Sequence, residues 1–441
     1  MTDKKSYRSS FILLTVLFFL WGFITVLVDS LIPRLRELFT LSYFQAGMVQ
    51  FAFFGAYFVL SIPASYILSK IGYKSGIVLG LCTMALGCLL FYPAANYRVF
   101  GVFILAYFIL AGGMTVLQVA ANPYVAVLGP EKAASSRLNL SQAFNSLGTA
   151  IAPAVGALFI LSDRIKNKDE IAQLSNTAKE SYLAKEAAAV QIPFLGLALF
   201  IGMIAILFLF AKLPKMMNEV STGTYVEAFK NKKLMQGVLG IFFYVGAEVA
   251  IGSFLVNYFL EMNLVTAITE NSYMKAIAEL MLNSGITEND HKAIVGVFVT
   301  FYWSGAMIGR FAGAYLTKII KPGMVLSLFA SLGILLLILS INTSGLLSMW
   351  SILAVGLFNS IMFPTIFTLA IDGIGNLKPK ASGLLCTAIV GGAIIPPLFG
   401  YLTDHIGFKK ALLFLVICYG YIVWYGSKNT KSKGYEKKKF C

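Results

Sequence analysis

The sequence predicts an all-α polytopic membrane protein with twelve transmembrane helices in two pseudo-symmetric six-helix halves, on three observations. Of the 441 residues, 58% are hydrophobic and only 12% charged, against about a quarter charged in a soluble domain. Apolar runs of about eighteen residues or more recur along the whole length, long enough for helices to cross a hydrocarbon core about 30 Å thick. Lys and Arg fall mostly in alternate connections, as the positive-inside rule requires. A β-barrel does not fit, because its strands are about ten residues long with alternating polarity.

The first run, 11–31, carries Asp29, is too long for a cleaved signal peptide and lacks a small-residue cleavage site. Runs 42–69 and 74–94 flank a GYK turn. The fourth, 98–125, contains LQVAANPYV at 117–125, where Gln118, Asn122 and Pro123 interrupt an otherwise apolar stretch. Pro123 predicts a kink, because its ring removes a backbone hydrogen bond. The fifth, 139–161, is entered through RLNLSQAFNSLG, with Asn139, Gln142 and Asn145 at spacings of three; the sixth is 190–212. Then come 234–260 with Glu248, 292–316 with Tyr302, Trp303 and Arg310, 322–342, 346–371 with Asn359, 380–402, and 408–426.

The predicted organisation is an N-terminal half at 1–212, a polar cytoplasmic linker at 213–233, a C-terminal half at 234–426 and a basic cytoplasmic tail at 427–441. Polar segments near 162–189 and 261–291 read as outer loops. The halves echo each other: Pro153 and Gly156 in AIAPAVGAL match Pro397 and Gly400 in AIIPPLFGYL, and ANPYV matches MFPTIF, with Pro123 and Pro364 in comparable places. Parallel repeats of this kind suit a transporter with a site near the membrane midplane.

The net charge of +15 is topology rather than a nucleic-acid footprint, because the cationic residues concentrate in connections assigned to the cytoplasm. Both termini come out cytoplasmic. The five cysteines lack metal-ligand spacing and the two histidines lie in predicted loops. No metal site, cofactor or nucleophilic enzyme centre is therefore expected.

Candidate functional residues are the polar ones inside the apolar runs. A carboxylate near the centre of a span costs about 2.5–3.5 kcal/mol on insertion scales, so it should face a cavity or a partner. Asp29 either ends the first helix in water or titrates with substrate binding. Glu248 either makes a structural hydrogen bond or binds substrate or cation. Gln118 and Asn122, four apart, share one helix face, and Asn139, Gln142 and Asn145, at spacings of three, are expected to present a second amide stripe on the neighbouring helix. Neutral amides suit hydroxyl-rich ligands; they also serve as glue between helices. Trp303 and Tyr302 offer aromatic faces for a sugar ring, or simply pack. Arg310, Asp372 and Arg137 are candidate gating or structural charges, with an Arg310–Asp372 pair one option and a solvated Arg310 the other.

In their order along the chain, FFLWGFITVLVDSLIPRL, FFGAYFVLSIPASYI followed by GYK, LQVAANPYV, RLNLSQAFNSLG, YVGAEVAIGSF, GRFAG, FPTIFTLAIDGIG and GGAIIPPLFGYLTD resemble the fucose permease and glucose/galactose permease family of the major facilitator superfamily. The resemblance implies the major facilitator fold and a hexose importer of the bacterial inner membrane, working by alternating access with symport of H+ or Na+. It implies a coupling and binding role for Asp29, and a place in the sugar cavity for Gln142 and Asn145. Gln118 stands where fucose-type members carry a second acidic residue, so a two-carboxylate proton mechanism does not transfer, and the glucose and galactose branch is the better match. Val28 precedes Asp29 where the family often has Asn, and Ser69 and Lys70 depart from the usual loop motif. The expected partners are a monosaccharide, a co-transported cation and the lipid bilayer, without nucleic acid, and the protein is expected to be a monomer. The alternatives are an uncoupled sugar facilitator and a membrane sugar sensor on a transporter scaffold.

Overall fold

The computed structural model describes residues 2–38, 43–97, 99–159, 173–214, 223–282 and 291–430. Its helices in chain order are α1 (Thr2–Leu38), α2 (Tyr43–Tyr97), α3 (Phe100–Val127), α4 (Ala134–Phe159), α5 (Asn176–Phe210), α6 (Tyr225–Lys230), α7 (Lys232–Glu261), α8 (Leu264–Glu270) and α9 (Ser272–Leu282). There follow α10 (His291–Gly296), α11 (Val299–Ile319), α12 (Pro322–Asn342), α13 (Gly345–Asn359), α14 (Met362–Ile371), α15 (Lys378–Thr387), α16 (Gly391–Ile406) and α17 (Phe408–Asn429). Asp29 belongs to α1 by its backbone, and its side chain lies outside the described residues.

Among the described residues, ten helical stretches are long and apolar enough to cross a membrane, and the one at Met48–Tyr97 holds two of the expected spans. Gly72, at φ 81° and ψ 169°, breaks the helix between them, so α2 is two helices meeting at a kink; without a Cβ, glycine takes that conformation cheaply. Helix starts follow local chemistry. The Ala178 amide donates to the Ser175 hydroxyl at 3.4 Å ahead of α5, and the Leu234 amide to Asn231 Oδ1 at 3.0 Å ahead of α7. Pro322, which has no amide to satisfy, opens α12.

Several stretches differ from expectation: α5 reaches back to Asn176, inside the segment 162–189 expected as a loop, and the linker 213–233 holds α6 and the start of α7. The segment 261–291, expected as an outer loop, holds α8 and α9, each burying a pair four residues apart, Leu264 with Ile268 and Met274 with Ala278; short amphipathic repeats of that kind are easily overlooked inside a polar segment. The span at 346–371 is interrupted at Ser360 and Ile361, between α13 and α14. Pro364 lacks the amide that would otherwise reach the Ser360 carbonyl four residues back. The span at 380–402 passes from α15 through a 3₁₀ turn at Ala388–Val390 into α16.

The chain packs as two compact units: Met1–Gly129 with Phe144–Lys230 and Gly373–Thr387, and Pro130–Ala143 with Asn231–Asp372 and Ala388–Cys441. Without water to drive helices together inside a bilayer, close van der Waals approach at small residues does the work. In the first unit a Cβ on Gly148 would collide with the Phe19 carbonyl, and one on Gly22 with the Asn145 carbonyl, so α1 and α4 touch backbone to backbone. Phe91 of α2 stacks on Phe194 of α5 with ring centroids 3.9 Å apart. In the second unit a Cβ on Gly309 would meet the Leu357 carbonyl, and one on Gly356 the Tyr302 carbonyl, which brings α11 equally close to α13. Hydroxyls of Tyr258, Ser340 and Ser348 join α7, α12 and α13 at 2.9–3.2 Å.

Candidate functional site

In the first unit, Gln118 and Asn122 lie one turn apart on α3, and both are buried. Helix α3 continues through Pro123 to Val127. With no amide at Pro123, the Val119 carbonyl lacks its donor within the helix, and the Ser382 hydroxyl of α15 supplies one at 2.8 Å. Both residues are fully buried, so this bond meets the demand that buried carbonyls be paired. Asn145 donates its amide to the Phe18 carbonyl of α1 at 2.9 Å, a tie between helices. In the same unit Ser65 and Tyr225 share a 2.5 Å hydroxyl contact, Tyr225 donates to the Ile62 carbonyl at 2.9 Å, and the Lys380 ammonium donates to the Gly223 carbonyl.

The second unit contains residues Pro130–Ala143 of the chain, and with them Arg137, Asn139 and Gln142. Arg137 donates to the Pro130 carbonyl at 2.9 Å. Asn139 bonds the Ser135 carbonyl at 2.9 Å and the Thr365 hydroxyl at 3.2 Å, and Ser135 meets the Thr368 hydroxyl at 2.6 Å. Asn139, Gln142 and Asn145 therefore do not form a single stripe. At a spacing of three the direction slips by about 60° per step on a 3.6-residue helix, so Asn139 meets α14 while Asn145 meets α1.

Glu248 lies in the middle of α7, and its Oε1 is buried with no hydrogen-bond partner among the described residues. One turn earlier the buried Tyr244 hydroxyl lies beside this carboxyl, close enough to interact with it but short of a well-formed hydrogen bond to any described residue. The Arg310 guanidinium on α11 acts on both electrostatically. Its Nε donates at 3.2 Å to the Ser360 carbonyl, the one that Pro364 leaves without a backbone donor. The arrangement thus repeats the Val119–Ser382 device of the first unit, at the place where MFPTIF echoes ANPYV.

Asn359, fully buried at the end of α13, donates to the Tyr302 hydroxyl at 2.7 Å and accepts from Tyr419. Tyr302 in turn donates to the Glu248 carbonyl at 3.4 Å. The Tyr302 ring is buried and therefore not presented to a ligand. Trp303 beside it is 48% exposed and crosses the Tyr302 ring edge-on at 5.1 Å. Asp372 pairs with Lys233, its carboxylate 3.1 Å from the ammonium, and its carbonyl also accepts from that ammonium at 3.2 Å. Asn359, Glu248 and Arg310 are thus gathered in one network, apart from the Lys233–Asp372 pair at the start of α7.

Sequence reasoning missed Tyr244, Tyr419, Ser382 and Lys233. Tyrosine and serine inside apolar runs look like ordinary packing residues, and nothing along the chain marks them. The signal that existed was proline: each internal proline identifies a carbonyl four residues back that needs an outside donor.

The family model described as Major Facilitator Superfamily matches residues 9–389. The chain is 45% identical over 434 residues to the glucose/galactose transporter of Brucella abortus, covering 98% of this chain and 96% of the relative. It is 33% identical over 431 residues to the L-fucose-proton symporter of Escherichia coli, covering 95% and 93%. Among solved structures, a crystal structure of FucP in the outward conformation superposes with a TM-score of 0.84 at 32% identity, covering 96% of this chain and 99% of that one.

Proposed function

The chain belongs to the Major Facilitator Superfamily, and on that premise we propose that it is a secondary active transporter importing a hexose of the glucose or galactose type by alternating access, with symport of H+ or Na+. One observation carries the substrate class: near full-length identity of 45% to a protein named glucose/galactose transporter. The buried amides of Gln118, Asn122 and Gln142 support it, because neutral donors and acceptors recognise hydroxyls without the cost of burying charge. Asn145 has committed a donor to Phe18, and Trp303 offers the exposed aromatic face. Asn359 is committed to Tyr302 and Tyr419.

Asp29 is the carboxylate proposed for coupling, Glu248 the one that binds either cation or substrate, and Gln118 leaves no titrating group at its own position. Arg137 and Asp372 are proposed as charges that hold the cytoplasmic ends of the spans, and Arg310 as a structural charge beside Glu248. The placement is the bacterial inner membrane with both termini cytoplasmic, on the distribution of Lys and Arg. One charge moving through about 100 mV supplies about 2.3 kcal/mol, roughly fifty-fold accumulation, so a single cation suffices.

The test is uptake by the reconstituted protein with a panel of labelled hexoses under separately imposed proton and sodium gradients. Concentrative uptake driven by one of the two gradients, and lost with counterflow retained in Asp29→Asn, is the expected result. Counterflow without accumulation in the wild type identifies an uncoupled facilitator. Absence of saturable uptake leaves the sensor.

A further inference from the structure

Among the described residues, two buried polar atoms in the second unit, Glu248 Oε1 and Tyr244 Oη, lie beside each other one turn apart on the same face of α7 and fall short of a well-formed hydrogen bond to any group. A buried polar atom left unpaired costs about 1–3 kcal/mol, so two side by side call for an occupant. Together they provide a carboxylate acceptor and a hydroxyl that both donates and accepts, which is the complement of an alcohol.

The adjacent charge narrows the choice. Arg310 already acts as counter-charge to Glu248, so a metal cation brought to the same carboxylate would be repelled by the guanidinium and would find a single carboxylate where it needs several oxygens. A neutral hydroxyl meets no such penalty.

Arg310 is itself held in place. Guanidinium is a planar fork with donors on several sides: Nε engages the Ser360 carbonyl at 3.2 Å, and the guanidinium charge acts on Glu248. Pro364 makes the Ser360 carbonyl available by withholding the backbone donor.

Resting on the hexose reading above, we propose that Tyr244 and Glu248 form a subsite for one hydroxyl of the transported sugar. Arg310 is its positioning residue, anchored on the carbonyl that Pro364 frees. This assigns Glu248 to substrate and leaves coupling to Asp29. Lysine in place of Arg310 preserves the charge and cannot reach both groups at once.

The experiment measures binding of D-glucose, D-galactose and their 2-, 3-, 4- and 6-deoxy analogues to the purified full chain, for the wild type and Tyr244→Phe, Glu248→Gln, Arg310→Lys and Pro364→Ala. Tyr258→Phe, the same change at a hydroxyl in the knot with Ser340 and Ser348, serves as the control for stability. Tyr244→Phe is expected to weaken the parent sugar about ten-fold, with the loss vanishing for one deoxy analogue only, the one lacking the hydroxyl held there. Arg310→Lys and Pro364→Ala are expected to weaken the same sugar without adding in the double variant, while Tyr258→Phe changes thermal stability and not the analogue pattern. If the wild type binds the sugar and Tyr244→Phe and Glu248→Gln bind parent and every analogue as it does, the subsite is overturned and its occupant is water. If the wild type binds no hexose, the hexose reading itself falls, and this proposal with it.

Discussion

Replacing Ser382 with alanine removes the hydroxyl that, among the described residues, donates to the Val119 carbonyl, 2.8 Å away. Both residues are 0% exposed, so water does not replace the lost donor. The cost is that of a buried unsatisfied carbonyl, about 1–3 kcal/mol. Because the need for Ser382 arises from Pro123, the effect must depend on the proline. In Pro123→Ala the new amide at position 123 bonds Val119 within α3, and Ser382→Ala then costs little, since a carbonyl satisfied once tolerates loss of its second donor. A double-mutant cycle in SDS-induced unfolding of the purified protein should give a coupling energy of about 1–2 kcal/mol between the two positions, well above the scatter of about 0.5 kcal/mol for independent sites. An equal cost for Ser382→Ala in both backgrounds would refute the reasoning and make Pro123 a bystander.

Three other outcomes follow from contacts already described. Asn145→Ala should lower thermal stability by the worth of one interhelical bond, about 1 kcal/mol, with the KM for sugar uptake unchanged; a raised KM at unchanged stability would instead make the amide a sugar ligand. Gly148→Ala drives a methyl into the Phe19 carbonyl and should destabilise by about 1–3 kcal/mol, read as a lower unfolding midpoint, whereas an unchanged midpoint would mean that α1 and α4 separate freely. Lys233 and Asp372 have side chains 29% and 38% exposed, so breaking the pair should cost at most about 1 kcal/mol and less in high salt. Lys233→Ala should exceed Asp372→Asn, because only the former also loses the bond to the Asp372 carbonyl.

The membrane class and the spans are determined by the sequence alone, because a bilayer imposes local requirements: each crossing needs about 30 Å of apolar helix with its backbone bonds closed internally. The prolines of ANPYV and MFPTIF are equally local, and each names by counting back four residues the carbonyl left open, Val119 or Ser360. The carboxylate of Glu248 in an apolar run also announced itself. What filled those openings came only from the tertiary structure. Ser382 is 263 residues from Val119, and Arg310 is 50 from Ser360; no periodicity reaches so far. Likewise the amides spaced by three on α4 looked like a single stripe, and packing against different helices gave Asn139 to Thr365 and Asn145 to Phe18. Asp372 went to Lys233 for the same reason. A chain's local chemistry states which groups need partners, while the choice among distant partners is made when helices pack and only one geometry satisfies all the buried groups together.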